Sequence, residues 1–224
     1  MNPSPSDSPL DIETSKLKEN LDKIRGRIER ACEKSGRKAS EVRLVAVTKT
    51  VGIDTCNRLL ELGCRDLGEN RPQVLWSKAA KVGVLVDPPG KLENQSPPPS
   101  ETAAKVCWHF IGHLQRNKSA RTVPLLSMLH SLDSERLADQ IAKDLDALSV
   151  GEGKSAVRLR ALLEINVTED RSKTGLLPDD AVRVLDRFSQ DAQWRSRIDL
   201  CGLMGMSSLL GDRKSTRLNS SHEW

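Results

Sequence analysis

Tyrosine is absent from the 224 residues, and phenylalanine and tryptophan bring the aromatic share to only 3%. Any mechanism that needs a phenolic acid or base is therefore excluded from this chain. The five cysteines, at 32, 56, 64, 107 and 201, are odd in number and never fall in a C-x-x-C pair. Neither a disulfide framework nor a thiolate zinc site is indicated, and ordinary reduced thiols are expected. No uninterrupted apolar run approaches the ~18 to 20 residues of a membrane span, and the polar N-terminus lacks a signal-peptide core. A cytoplasmic protein with no membrane partner is the expectation. Thirty-five Lys and Arg against 31 Asp and Glu leave a net charge of only +4. With neither a clustered basic stripe nor interleaved aromatics, a nucleic-acid partner is not expected.

What is present is an alternation. Residues 1–10 hold three Pro and three Ser and read as a disordered leader. Leu17, Leu21, Ile24, Ile28 and Ala31 then recur at helical spacing and place one apolar stripe on a helix. Val42 to Val47 reads as a buried strand that ends in the polar loop Thr48-Lys49-Thr50. Further strands are expected at 65–68, 107–111, 125–132, 159–167 and 198–204, with helices between them. Asp133 is placed to cap the helix carrying Leu137, Ile141, Leu145 and Leu148, and Pro178 opens the next one. Strand and helix alternating in this way imply parallel βαβ units, in an open doubly wound sheet or a (β/α)8 barrel. No glycine-rich phosphate loop follows the first strand, which argues against Rossmann and P-loop folds.

Two segments break the alternation. Residues 82–106 contain Pro88-Pro89-Gly90 and Pro97-Pro98-Pro99, which cannot supply ladder donors, so they form a Pro-rich insertion. Residues 212–224 are polar and aperiodic where a seventh strand is due, and read as a non-native tail. The domain is thus expected over residues 11–211.

Lys49 is the sharpest chemical candidate. Counting by two, Arg43, Val45, Val47 and Lys49 share one strand face, which puts an amine on an apolar side at the strand's C-terminal end. Active sites of parallel α/β folds lie at that end. An amine kept from water there loses hydration of its charged form and becomes an imine-forming nucleophile. The competing reading is a solvated lysine that has simply left the sheet. His109 and His113 are four apart, but on a strand entering a loop they do not share a face. No third ligand is evident, and structural or pocket-wall histidines are expected rather than a metal site. Asn166-Val167-Thr168 fits the glycosylation pattern, but without a signal peptide it is read as coincidence.

Val45-Ala46-Val47-Thr48-Lys49 does not stand alone. Leu67-Gly68-Glu69-Asn70 follows it, then His109 to Lys118, Ser131-Leu132-Asp133, Glu164-Ile165-Asn166-Val167, Ser172-Lys173-Thr174-Gly175 and Gly202 to Ser207. In this order and spacing, over about residues 14 to 208, the chain resembles the pyridoxal phosphate homeostasis proteins. The resemblance implies a (β/α)8 barrel like the N-terminal domain of alanine racemase. It also implies that pyridoxal 5'-phosphate is held as a Schiff base on Lys49, for homeostasis of the cofactor rather than robust catalysis. It adds Asn70 and Ser207 as cofactor-binding residues. Asn70 suits the cofactor's ring oxygen, or a helix N-cap, and Ser207 suits the phosphate. No catalytic residue and no metal are expected. The implied partners are the cofactor and PLP-dependent apo-enzymes, and the protein is expected to be a monomer.

A PLP-dependent racemase is the alternative, weakened by the missing tyrosine, and sustained loss of optical rotation from L-alanine would distinguish it. At the His113 position the family commonly carries proline. Lys173 and Gly175 match a family motif that serves either ligand or helix cap. Only six strands can be counted before residue 212, so the barrel reads as truncated after about six βα units. Its phosphate cradle is expected to be partial and its cofactor affinity lowered, because such barrels bind phosphate after strands seven and eight.

Overall fold

The computed structural model describes residues 9–82, 106–149, 157–168 and 174–206. The expected tail 212–224, residues 83–105 of the insertion, Lys173 and Ser207 lie outside the described residues. So does the expected leader, apart from its last two positions, which open the first helix.

In chain order the elements are α1 (Pro9–Ser35), β1 (Ala46–Val47), α2 (Ile53–Glu61), β2 (Asp66–Glu69), α3 (Pro72–Val82), β3 (Cys107–Phe110) and α4 (Arg116–Thr122). They continue with β4 (Met128–Leu132), α5 (Glu135–Leu148), β5 (Leu159–Ile165), α6 (Pro178–Gln190), α7 (Ala192–Arg197) and β6 (Ile198–Gly205). The strands form one sheet in the order β1-β2-β3-β4-β5-β6, and every neighbouring pair is parallel. A doubly wound sheet reverses direction at a switch point; this one advances a single way, as a (β/α)8 barrel does. Among the described residues, β1 and β6 are the two ends of the sheet.

Period-two alternation divides each strand between two environments. Leu67, Trp108, Phe110, Leu129, Ala161 and Leu163 are all fully buried, in one cluster with Leu75, Ile141 and Trp194 of the helices. The residues that alternate with them lie on the other face of the sheet and include the polar Asp66, His109, His130 and Arg160. Burial of the first set supplies most of the favourable free energy, about 1.5–3 kcal/mol for each large apolar side chain.

Several boundaries differ from the sequence expectation. Only Ala46 and Val47 of the stretch 42–47 are laddered, because β1 pairs with β2 alone, through Ala46↔Leu67 and Val47↔Gly68. In α5 the cap is Ser134, whose side chain accepts from Leu137 N, and not Asp133. Asp133 Oδ2 is instead engaged by the imidazole of His113 at 2.7 Å. The α5 stripe holds at Leu137, Ile141 and Leu145, while Leu148 is exposed in the last turn. Ile24 likewise leaves the buried stripe of α1, where Leu21 and Cys32 are covered. Pro178 does open α6.

The short α7 has no counterpart in the sequence reading. Its six residues are too few to show a period, and it exists because Asp191 Oδ1 accepts from Gln193 N and Trp194 N, both at 3.0 Å. Trp194 is then fully buried and donates to Asp139 Oδ1 at 3.0 Å.

Capping gives one simple expectation. Ser134→Ala should lower stability by about 1 kcal/mol, because one orphan amide of α5 loses its side-chain acceptor. A urea titration of parent and variant measures it, and an unchanged midpoint would show that the bond contributes nothing.

Candidate functional site

The C-terminal ends of β1, β2 and β3 come together in register. Val47 pairs with Gly68, so Lys49 and Asn70 each lie two residues beyond one paired step of the ladder. Val45 and Val47 lie on the face of Gly68: a Cβ built there would sit 3.3 Å from Val45 Cγ1 and 3.5 Å from Val47 Cγ2. Arg43 reaches Asp66, so the face expected for Arg43, Val45 and Val47 is present.

Lys49 itself departs from the expectation. The alternation stops at Thr48, and Lys49 stands in a turn that Val51 N closes by donating to Thr48 O at 3.0 Å. It is exposed, not buried against apolar side chains. The physical reason is that β1 ends the sheet order and has no neighbour on its other side among the described residues.

Asn70 is half-buried in the bend after β2. Helix α3 begins at Pro72, and its first turn is closed by Leu75 N donating to Arg71 O at 3.1 Å. Asn70 therefore precedes the cap position, at the C-terminal end of β2. Gly112 passes hard against it, since a Cβ on Gly112 would lie 2.3 Å from Asn70 O. Gly112 O also accepts from Ser131 Oγ at 2.5 Å, which ties the β3 loop to β4. Gly112→Ala should push the Asn70 and Gly112 backbones apart and cost about 1–3 kcal/mol by overpacking. Thermal unfolding checks this, and a cost below about 0.5 kcal/mol would mean that the two loops yield freely.

Ser207 lies outside the described residues. Met206, the last residue before it, follows β6 at the same end of the parallel sheet as Lys49 and Asn70.

The motif at 172–175 has a structural use in its described part. Leu176 N donates to Glu164 O, and Asn166 N to Leu176 O, both at 2.8 Å, so the segment returns onto the end of β5. Gly175, at φ 105°, makes that approach possible: a Cβ would stand 2.7 Å from Asn166 N. Thr174 Oγ1 donates to Glu164 Oε1 at 2.6 Å. Asn166 is buried and its Oδ1 accepts from Thr168 N and Oγ1, an environment no glycan could enter.

Inside the barrel runs a polar chain that the sequence did not announce. Arg43 Nη1 lies 3.4 Å from Asp66 Oδ1, which accepts from His109 Nε2 at 2.9 Å, and His109 Nδ1 stands 2.8 Å from His130 Nε2. A single proton serves the two facing histidine nitrogens. Burial and the neighbouring His109 push the His130 pKa down from 6.5 to about 4. Asp66 and His130 thus engage both ring nitrogens of His109. No group of three or more His, Cys, Asp or Glu side chains that could hold a metal occurs among the described residues. Burial raises the Glu164 carboxyl above its usual range, and Thr174 partly offsets that. No described helix is long and apolar enough to cross a membrane.

The C-terminal ends of β1 to β3 place a primary amine, Lys49, and a carboxamide residue, Asn70, at equivalent positions, with a loop kept close by Gly112.

The fold defines the class first. The chain matches alanine racemase of Clostridium difficile with a TM-score of 0.53 at 9% identity, over 85% of this chain and 45% of that one. The barrel is of the alanine-racemase type. A solved protein of unknown function from Bifidobacterium adolescentis matches more fully, at a TM-score of 0.72 and 28% identity over 93% of this chain and 76% of that one. PipY of Synechococcus elongatus, solved with PLP bound, matches at 0.60 and 24% identity, over 85% and 75%. No family model matches. A pyridoxal phosphate homeostasis protein of Mycobacterium tuberculosis is 30% identical over 210 residues, which is 93% of this chain and 77% of the relative. The chain belongs to the pyridoxal phosphate homeostasis protein family.

Proposed function

We propose that this chain binds pyridoxal 5'-phosphate at the C-terminal end of its barrel and holds it covalently on Lys49, as a cytoplasmic carrier in cofactor homeostasis. The carrying observation is the register that sets an exposed Lys49 and Asn70 two residues beyond the paired Val47 and Gly68. PipY, a solved relative in fold, holds PLP, which supports the same ligand here.

Lys49 would hold the cofactor through its amine, to which the bound group would offer an aldehyde carbon. Asn70 would offer its amide as a hydrogen-bond donor to the cofactor ring. Ser207, next in the chain after Met206, would offer a hydroxyl donor to the phosphate. Accessibility of Lys49 suits a carrier, since a transferable cofactor has to be reached by water or by the amine of an acceptor. The acceptors are PLP-dependent apo-enzymes, and the carrier acts as a monomer.

The test is to add pyridoxal 5'-phosphate, reduce with borohydride and map the modified lysine by peptide mass. An adduct on Lys49 is expected. An adduct confined to other lysines, or none, overturns the assignment.

A further inference from the structure

Lys78 occupies a position where an apolar residue would be expected. Leu75, Lys78 and Ala79 form the buried stripe of α3, and Lys78 is only 5% exposed. A buried ammonium is costly unless its donors are met, and the pairing of a buried Lys with a carboxylate is weak evidence for stability by itself. The partners matter more than the pair. Lys78 Nζ donates to Glu69 Oε1 at 2.5 Å and to the main-chain carbonyl of Thr48 at 2.7 Å.

Thr48 is completely buried, and all its polar groups are engaged. Its N donates to Gly68 O at 2.9 Å and its Oγ1 to Glu69 Oε1 at 2.7 Å. Its carbonyl takes two donors, Lys78 Nζ and Val51 N. The second of these closes the turn that contains Lys49, which is the very next residue.

We propose that Lys78 is a positioning residue for Lys49: gripped by Glu69 beneath α3, its ammonium holds the Thr48 carbonyl and fixes the turn that carries the nucleophilic amine. The inference rests on Lys49 being the site of attachment. Lys49 is exposed in the turn after β1, and Lys78 constrains that turn from the buried side. Without the ammonium, the Thr48 carbonyl keeps only Val51 N, the turn opens, and the amine spends less time in attack geometry. Rates of this kind are sensitive to small misplacements.

The experiment compares the full chain with Lys78→Met and with the double variant Lys78→Met/Glu69→Leu, which removes both buried charges together. Amide hydrogen exchange without cofactor and the rate of borohydride-reducible adduct formation at Lys49 are both measured. In both variants, exchange should accelerate at Val51 and its neighbours in the turn while Leu163 of β5 stays protected in the double variant. Adduct formation should slow by about tenfold. Val51 protection and adduct rate unchanged from the parent in the double variant would overturn the proposal, and so would a loss of protection spread equally to Leu163. If Lys49 carries no adduct even in the parent, the attachment reading fails, while Val51 exchange still reports on the grip of Lys78.

Discussion

Lys49→Ala is expected to abolish the borohydride-reducible adduct with pyridoxal 5'-phosphate and the visible absorbance that accompanies it. The change removes the amine that stands two residues beyond the paired Val47, as Asn70 stands two beyond Gly68. It should do so without unfolding the chain. Lys49 is exposed, and substitutions at exposed positions usually change stability by no more than about 0.5 kcal/mol. Absorbance titration and urea unfolding of the same preparation separate the two effects. Adduct persisting at parental level in the variant would place the attachment elsewhere. Loss of adduct together with loss of the unfolding transition would show that Lys49 holds the fold, contrary to its exposure.

Lowering the pH from 7 to 4 is expected to remove on the order of 3 kcal/mol of stability through one side chain, His130. Its pKa in the fold is lowered from 6.5 to about 4, by burial first and by His109 second. Between those values the unfolded chain takes up a proton that the folded chain refuses, so folding weakens as the pH falls. The contribution is complete above about pH 6.5 and lost by about pH 4. Nearby, Glu164 works in the opposite sense: its raised pKa favours the folded form when protonated, and that benefit fades as the pH rises. Comparing the parent with His130→Gln isolates the histidine. Urea unfolding at pH 7 and pH 4.5 should show a smaller loss in the variant, and an equal loss in both would assign the acid sensitivity to other groups. The chain from Arg43 through Asp66 to His109 gives a reason for the burial, since it holds His130 against His109 inside the barrel.

The two faces of the strands were unequally legible in sequence. The outward set, Leu67, Trp108, Phe110, Leu129 and Leu163, is apolar and rests on helices whose own stripes were visible at Leu137, Ile141 and Leu145. A period of two or of 3.6 is a property of the chain itself, so these elements, their parallel alternation and the candidate Lys49 could be read without coordinates. The order β1 to β6 without reversal follows the same alternation, although the strands alone left a doubly wound sheet open.

Other features needed the third dimension because they are contacts between residues distant in sequence. Asp66, His109 and His130 meet only when β2, β3 and β4 lie side by side, since no spacing along the chain links residues 43 and 21 apart. The cap of α5 moved from Asp133 to Ser134 because His113 claims the aspartate from another loop. Gly112 and Gly175 read as punctuation in sequence, yet each exists for a backbone crossing within 3 Å of where its Cβ would be. Composition, periodicity and motif order thus carried the parallel α/β alternation, the family and the candidate Lys49. Tertiary structure decided the setting of Lys49, an exposed turn with the buried Thr48 and Lys78 beneath it. The physical reason is that burial and charge pairing depend on which elements come to rest on one another, and a linear sequence does not encode that locally.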